Sequence, residues 1–135
     1  MEVKLLKFDE IKDNRGALVA IEGNKNIPFG IKRIYYIYGA NKNTVRGKHA
    51  HRDLNQILIC ISGSCKILLD DGNEATEILL DRPNLGLFIG GMTWREMFNF
   101  TEDCTLMILA DEYYNKNEYI RDYSEFRKIK HMMGG

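Results

Sequence analysis

Apolar runs of strand length recur along this chain, each ended by a turn signal. They fall at residues 17–22, 31–38, 56–61, 64–69, 76–80, 85–89 and 105–110. The runs are rich in β-branched and aromatic residues, and so many short strands at close spacing predict an all-β sandwich or barrel. Asp70-Asp71-Gly72-Asn73 predicts a hairpin, because Asp-Gly and Gly-Asn supply the positive φ angles of tight turns, and Ser62-Gly63 marks another turn. After Asp111 the pattern changes. Apolar residues between Tyr119 and Ile129 lie three and four apart, which predicts a short amphipathic C-terminal helix, with residues 131–135 a frayed tail.

At 135 residues the chain has room for one domain with a real core, so residues 1–135 are read as a single domain. Hydrophobic residues make up 44% and charged residues 28%, a balance that argues against disorder. Lys plus Arg and Asp plus Glu both number 19, so no net field recruits nucleic acid or an anionic membrane. An anionic ligand must then be met by local cations. The first residues lack the apolar run of a signal peptide, and nothing approaches the roughly 20 apolar residues of a membrane span, so a cytoplasmic protein is expected. Cys60, Cys65 and Cys104 are odd in number and follow no C-x-x-C spacing. They read as buried free thiols.

The informative stretch is Arg46-Gly47-Lys48-His49-Ala50-His51, followed by Gln56 and Gly63. On a strand, residues i and i+2 face one side, so His49 and His51 would project together. Alone, such a pair is as easily two surface histidines on an edge strand. Here the spacing His49-x-His51-x4-Gln56-x6-Gly63 resembles the first cupin motif, with Gln in place of its Glu. Residues 86–99, with Trp94 and Arg95, resemble the second, with Arg95 where the last metal-ligating His normally stands. The resemblance implies a cupin, a jelly-roll β-barrel, carrying a short C-terminal helix. A metal cupin holds its ion with three His and one Glu. Gln is a poor ligand and Arg a fixed cation, so no metal and no other cofactor is expected. The freed histidines become candidates for acid and base work.

Further segments carry a narrower resemblance: residues 13–22, 26–29, 31–36 and 46–51, then Trp94-Arg95-Glu96-Met97, Tyr113-Tyr114 and Tyr119-Ile120-Arg121. In this order the chain resembles the dTDP-4-keto-6-deoxyglucose 3,4-ketoisomerases of bacterial surface-sugar pathways. That resemblance implies a metal-free homodimer with swapped N-terminal strands, acting on a dTDP-linked 4-keto-6-deoxy sugar. A base takes the C3 proton, an enediol forms across C3 and C4, and C4 is protonated. His49 and His51 would carry the protons, with His51 the first choice for the C3 base. Tyr35 would hydrogen-bond a histidine or a sugar oxygen, and Arg46 would meet the pyrophosphate. Gln56, Trp94 and Arg15 complete the expected binding residues; Arg33, Lys48 and Arg121 are weaker candidates.

Some members of that family carry His where this chain has Arg95, and Arg cannot readily act as an acid. Arg95 is expected instead to orient the sugar or stabilise the enediolate. By the resemblance, Arg at 95 goes with a gluco product and Arg15 with a galacto one. Position 95 bears directly on proton delivery, so the gluco product is favoured. Competing readings are a nucleotide-sugar epimerase on the same barrel, a non-catalytic sugar-binding cupin and, last, a metal-dependent enzyme.

Overall fold

The computed structural model describes residues 1–134. Its strands are β1 (Lys4–Lys7), β2 (Ile11–Asp13), β3 (Gly16–Leu18), β4 (Arg33–Ile37), β5 (Arg46–His51), β6 (Gln56–Ser62), β7 (Cys65–Asp70), β8 (Ala75–Leu80), β9 (Leu85–Ile89), β10 (Trp94–Phe98), β11 (Thr105–Ala110) and β12 (Tyr119–Ile120), followed by helix α1 (Tyr123–Met132). Two five-stranded antiparallel sheets form, ordered β1-β9-β6-β11-β4 and β12-β5-β10-β7-β8, with β2 and β3 a separate hairpin. This is the all-β architecture that the strand pattern predicted, and it agrees with the cupin resemblance.

Burial explains which strands read as alternating and which as continuous. In β4, Arg33, Tyr35 and Ile37 are half-buried, while Ile34 and Tyr36 face solvent. β6 is buried on both faces from Gln56 to Cys60, so it reads as an unbroken apolar run. Its inner face joins Leu58 and Cys60 to Ile67, Leu87, Met97, Leu106 and Ile108, the core between the sheets. On its outer face Ile57 and Ile59 are covered by Phe8, Ile27 and Phe29. The outer face of the second sheet is covered by α1, where Phe126 packs on Ala50, Trp94 and Ile120. Cys60, Cys65 and Cys104 are free and buried, and the Cys60 and Cys104 thiols, 3.4 Å apart, share a hydrogen bond and no disulfide.

Three expectations need correction. The run at 17–22 yields strand only to Leu18, because the Asn26 side chain accepts from the Glu22 N–H at 2.7 Å and donates to the Ala20 carbonyl at 2.8 Å. Those bonds satisfy backbone groups that a partner strand would otherwise serve. The helix does not begin at Tyr119. Asp122 caps it, its carboxylate accepting from the Glu125 N–H at 3.1 Å, and Tyr119–Ile120 pair with β5 instead. Finally, His131 and Met132 are helical rather than frayed, and Gly135 of that tail lies outside the described residues.

Gly63 closes the turn between β6 and β7 at φ +65°, and a β-carbon there would collide with Thr101 Oγ1 and stand 2.8 Å from Cys104 Cα. Gly63→Ala combines left-handed strain with overpacking and is expected to cost about 2–4 kcal/mol. Urea unfolding checks this, and an unchanged midpoint would contradict the packing of that turn.

Candidate active site

The site begins with an irregularity in β5. Arg95 of β10 pairs with His49 and Glu96 with Gly47, so Lys48 is an extra residue on β5. Gly47 takes φ 83° and Lys48 φ 53° to accommodate it. A bulge of this kind re-aims the side chains that follow. Beyond it His49 and His51 turn into the barrel while Ala50 faces the helix-side core.

His51 is fully buried and His49 nearly so. Their Nε2 atoms are 3.1 Å apart, and His49 Nδ1 lies 2.9 Å from the Gly47 carbonyl. A carbonyl oxygen only accepts, so His49 Nδ1 carries the proton and its Nε2 is the acceptor. His51 Nε2 must then donate. That leaves His51 Nδ1 as a buried lone pair without a protein partner. Burial, reinforced by the positive charge of Arg95, pushes His49 down to about 4 and His51 to about 2. Both imidazoles are neutral at pH 7.

Arg95 is the deepest charge in the fold, fully buried. It donates from Nη1 to Gln56 Oε1 at 2.7 Å, and from Nε and Nη2 to the Thr93 carbonyl at 3.3 and 3.1 Å. No carboxylate is among these partners. Burial draws its pKa down to about 10, which still leaves it charged at neutral pH. Gln56, itself fully buried, donates from Nε2 to the Tyr35 hydroxyl at 2.9 Å. Burial raises the Tyr35 pKa, so this phenol keeps its proton. The four positions that hold an ion in metal cupins thus converge, but their donor set does not fit one. The Gln56 oxygen is taken by a guanidinium, and Arg95 brings its own positive charge to the centre.

A pocket of about 230 Å³ opens beside this network, lined by Tyr35, Arg46, Gly47, His49, Met97, Tyr119 and Arg121 among others. His49 stands on its wall and His51 behind. Arg46 is exposed, at the pocket, where it can reach an anionic ligand. Arg33 stacks on Tyr35 at 4.8 Å, its Nε buried and unpartnered. Gln56 is a bridge between Arg95 and Tyr35 rather than part of the pocket lining. Trp94 is a correction: its indole packs on Tyr123 and Phe126 and donates to Glu96 at 3.0 Å, so it belongs to the helix-side core. Arg15 also lies apart, on the exposed β2–β3 turn, paired with Asp13 of the same turn. The sequence reading gave no role to Tyr119, whose ring centroid is 4.8 Å from His49 and 4.5 Å from His51.

Fold and site together define a cupin whose histidine pair faces a buried arginine in place of a metal set. The family model FdtA, described as WxcM-like, C-terminal, matches residues 1–131. The chain is 52% identical over 128 residues to a TDP-4-oxo-6-deoxy-alpha-D-glucose-3,4-oxoisomerase of Aneurinibacillus thermoaerophilus, covering 95% of this chain and 92% of that protein. A 3,4-ketoisomerase from Helicobacter canadensis is 53% identical, with a TM-score of 0.94 and coverage of 97% and 98% of the two chains. A histidine-to-asparagine variant of the 3,4-ketoisomerase QdtA from Thermoanaerobacterium thermosaccharolyticum, in complex with TDP-4-keto-6-deoxyglucose, is 47% identical with a TM-score of 0.94, covering 96% of this chain and 94% of that one. The chain belongs to the FdtA family of sugar 3,4-ketoisomerases.

Two histidines held below their ordinary pKa tie stability to pH. The unfolded chain binds more protons than the folded one below about pH 6.5, so stability is full above that value and falls as pH drops toward 4. Each histidine contributes a slope of up to roughly 1.4 kcal/mol per pH unit. Urea midpoints at pH 7 and pH 5 check this. The wild type is expected to lose stability across that interval, and a His49→Asn, His51→Asn variant to lose measurably less.

Proposed function

We propose that this chain converts dTDP-4-keto-6-deoxyglucose to dTDP-3-keto-6-deoxyglucose through an enediol. The dTDP-sugar 3,4-ketoisomerase activity follows from the family; the residue roles and the product configuration are our reading. What carries it is Arg95, a fully buried cation whose protein partners are all neutral oxygens. A buried charge without a counter-charge is costly, and an enediolate on C3 and C4 would supply the missing anion. A preorganised cation near developing negative charge is a strong source of catalysis.

In this reading the free nitrogen of His51 makes it the C3 base, with His49 bonded to it and able to pass the proton on. Hydrogens on C3 and C4 of a glucose-configured ring lie on opposite faces. The gluco product therefore needs a donor on the face away from the base. Tyr35 comes from the first sheet and the histidines from the second. Its phenol accepts from Gln56 and keeps its own proton to give. Arg95 is held between Gln56 and the Thr93 carbonyl, where it can steady the enediolate but not protonate C4. Arg46, with Arg33 and Arg121 nearby, meets the pyrophosphate. The 3-keto product is what a 3-aminotransferase consumes, so we assign the reaction to the making of 3-amino-3,6-dideoxyhexoses for surface glycans.

The β2–β3 hairpin supports a homodimer. Every residue of both strands is exposed, including Ile11 and Leu18. An isolated hairpin has little stability of its own. Docked on a second copy, it would bring Arg15 to the partner's pocket.

The main test is incubation of metal-stripped protein with dTDP-4-keto-6-deoxyglucose and a 3-aminotransferase. A 3-amino sugar nucleotide with an equatorial C4 hydroxyl by NMR is expected, and His51→Asn should lower the rate at least about 100-fold. No amino sugar, or solvent deuterium at C3 or C5 with the carbonyl still at C4, would overturn the proposal; an axial hydroxyl would overturn the gluco assignment. Light scattering should give twice the mass of one chain, and Arg15→Ala should raise KM roughly tenfold with little change in kcat. A single-chain mass would overturn the dimer.

A further inference from the structure

Tyr119 lies on a two-residue strand at the edge of the second sheet, opposite His51 in the β5–β12 pairing. Several bonds fix its place. The Arg52 N–H donates to the Glu118 carbonyl at 3.0 Å, and the Glu118 carboxylate accepts from the Asp53 and Leu54 N–H groups at 2.9 and 3.0 Å. Asn115, capping the short 3-10 turn before it, accepts from the Asn117 N–H at 3.0 Å. So restrained, the phenol ring completes a triangle with the imidazoles. The His49 and His51 centroids are 4.7 Å apart with the rings crossed at 86°, and the Tyr119 centroid is within 5 Å of both. The Arg121 guanidinium stacks on it at 4.4 Å. Among the described residues none hydrogen-bonds the Tyr119 hydroxyl.

We propose that Tyr119 is a positioning residue for the isomerisation, its ring holding the two imidazoles crossed and keeping water from them. The proposal rests on the reading of His49 and His51 as the proton-carrying pair. Crossing matters because it directs His51 Nε2 onto His49 Nε2 and thereby leaves His51 Nδ1 as the free lone pair. Without the ring, water reaches both imidazoles and each can turn to a second tautomer. The charges acting on the pair come from every side of the barrel: Arg95 on β10, Arg33 on β4 and Arg121 beyond β12, with the Tyr35 phenol also facing the site. All three charges are cations that oppose protonation; Arg95 and Arg33 do not stack on the Tyr119 ring, whereas Arg121 does, so the histidine titrations are read in an Arg121→Gln background. Any upward change in the histidines then reports the lost shielding.

Tyr119→Phe keeps the ring and Tyr119→Ala removes it; Tyr119→Leu keeps apolar bulk should the alanine variant fail to fold. In Phe, kcat and the acid limb of kcat/KM are expected to stay close to wild type. In Ala or Leu, kcat falls about 100-fold, KM moves less than about threefold, and the acid limb rises toward the ordinary histidine value near 6.5. Loss in Phe as large as in Ala would overturn the proposal, since the hydroxyl would then be the working group. A fall in kcat with an unmoved pH limb would overturn it too. NMR titration of the His49 and His51 rings in ligand-free protein reads the same effect without activity. An upward move in Ala or Leu supports the proposal even if the keto sugar proves not to be the substrate, and identical titrations overturn it.

Discussion

The arrangement of this site follows from one buried charge. Arg95 sits fully inside the barrel with neutral oxygens as its partners. Leaving any of its N–H groups without an acceptor there would cost several kcal/mol, so neighbouring residues are committed to it. Gln56 gives its oxygen to Arg95, which forces its amide nitrogen toward Tyr35. Tyr35, having accepted that bond, is oriented with its proton unspent. The same charge, added to burial, keeps both histidines neutral. One cation thus bears on the orientation or protonation state of four side chains on three strands.

The second constraint is at the sheet edge. A regular β5 would carry its alternation straight through, and Lys48 as an inserted residue changes that. Positive φ at Gly47 and Lys48 makes the bulge possible, and the Gly47 carbonyl, displaced by it, becomes the acceptor that fixes the His49 tautomer. Packing favours glycine as well, since a β-carbon at 47 would stand a tight 3.1 Å from the Arg95 carbonyl. Backbone irregularity, tautomer and base are therefore links of one chain of cause.

Much of this was legible in the sequence because it rests on spacing. Period-two strands, the Asp70–Asn73 hairpin and the H-x-H pair with Gln56 and Gly63 all express local rules, and the structure has them. Where local and tertiary preferences competed, the sequence misled. Tyr119 and Ile120 have helical spacing with the residues after them, yet Asp122 caps the helix and the open edge of β5 takes the two residues as strand. Residues 19–22 have strand composition, but the Asn26 side chain takes up the Glu22 N–H and the Ala20 carbonyl. Trp94 could have faced either side of its strand, and α1 decided it. The position of Arg15 depends on how a hairpin packs, which no single-chain pattern encodes.

The substitution of Arg for a metal has a chemical consequence beyond charge. A metal ion held by two histidines takes its bonds from their lone pairs, and a ligated imidazole is no longer a base. A guanidinium offers positive charge without consuming any lone pair, since it only donates hydrogen bonds. With Arg95 bonded to Gln56 and Thr93, the His51 Nδ1 lone pair stays free within the field of a buried cation. A cation and a free nitrogen lone pair are then present together, the two groups that the proposed shift of a carbonyl between adjacent carbons calls for. Changing Glu to Gln at 56 and His to Arg at 95 is in that sense one change, because the neutral amide is what allows the cation to be buried without neutralising it.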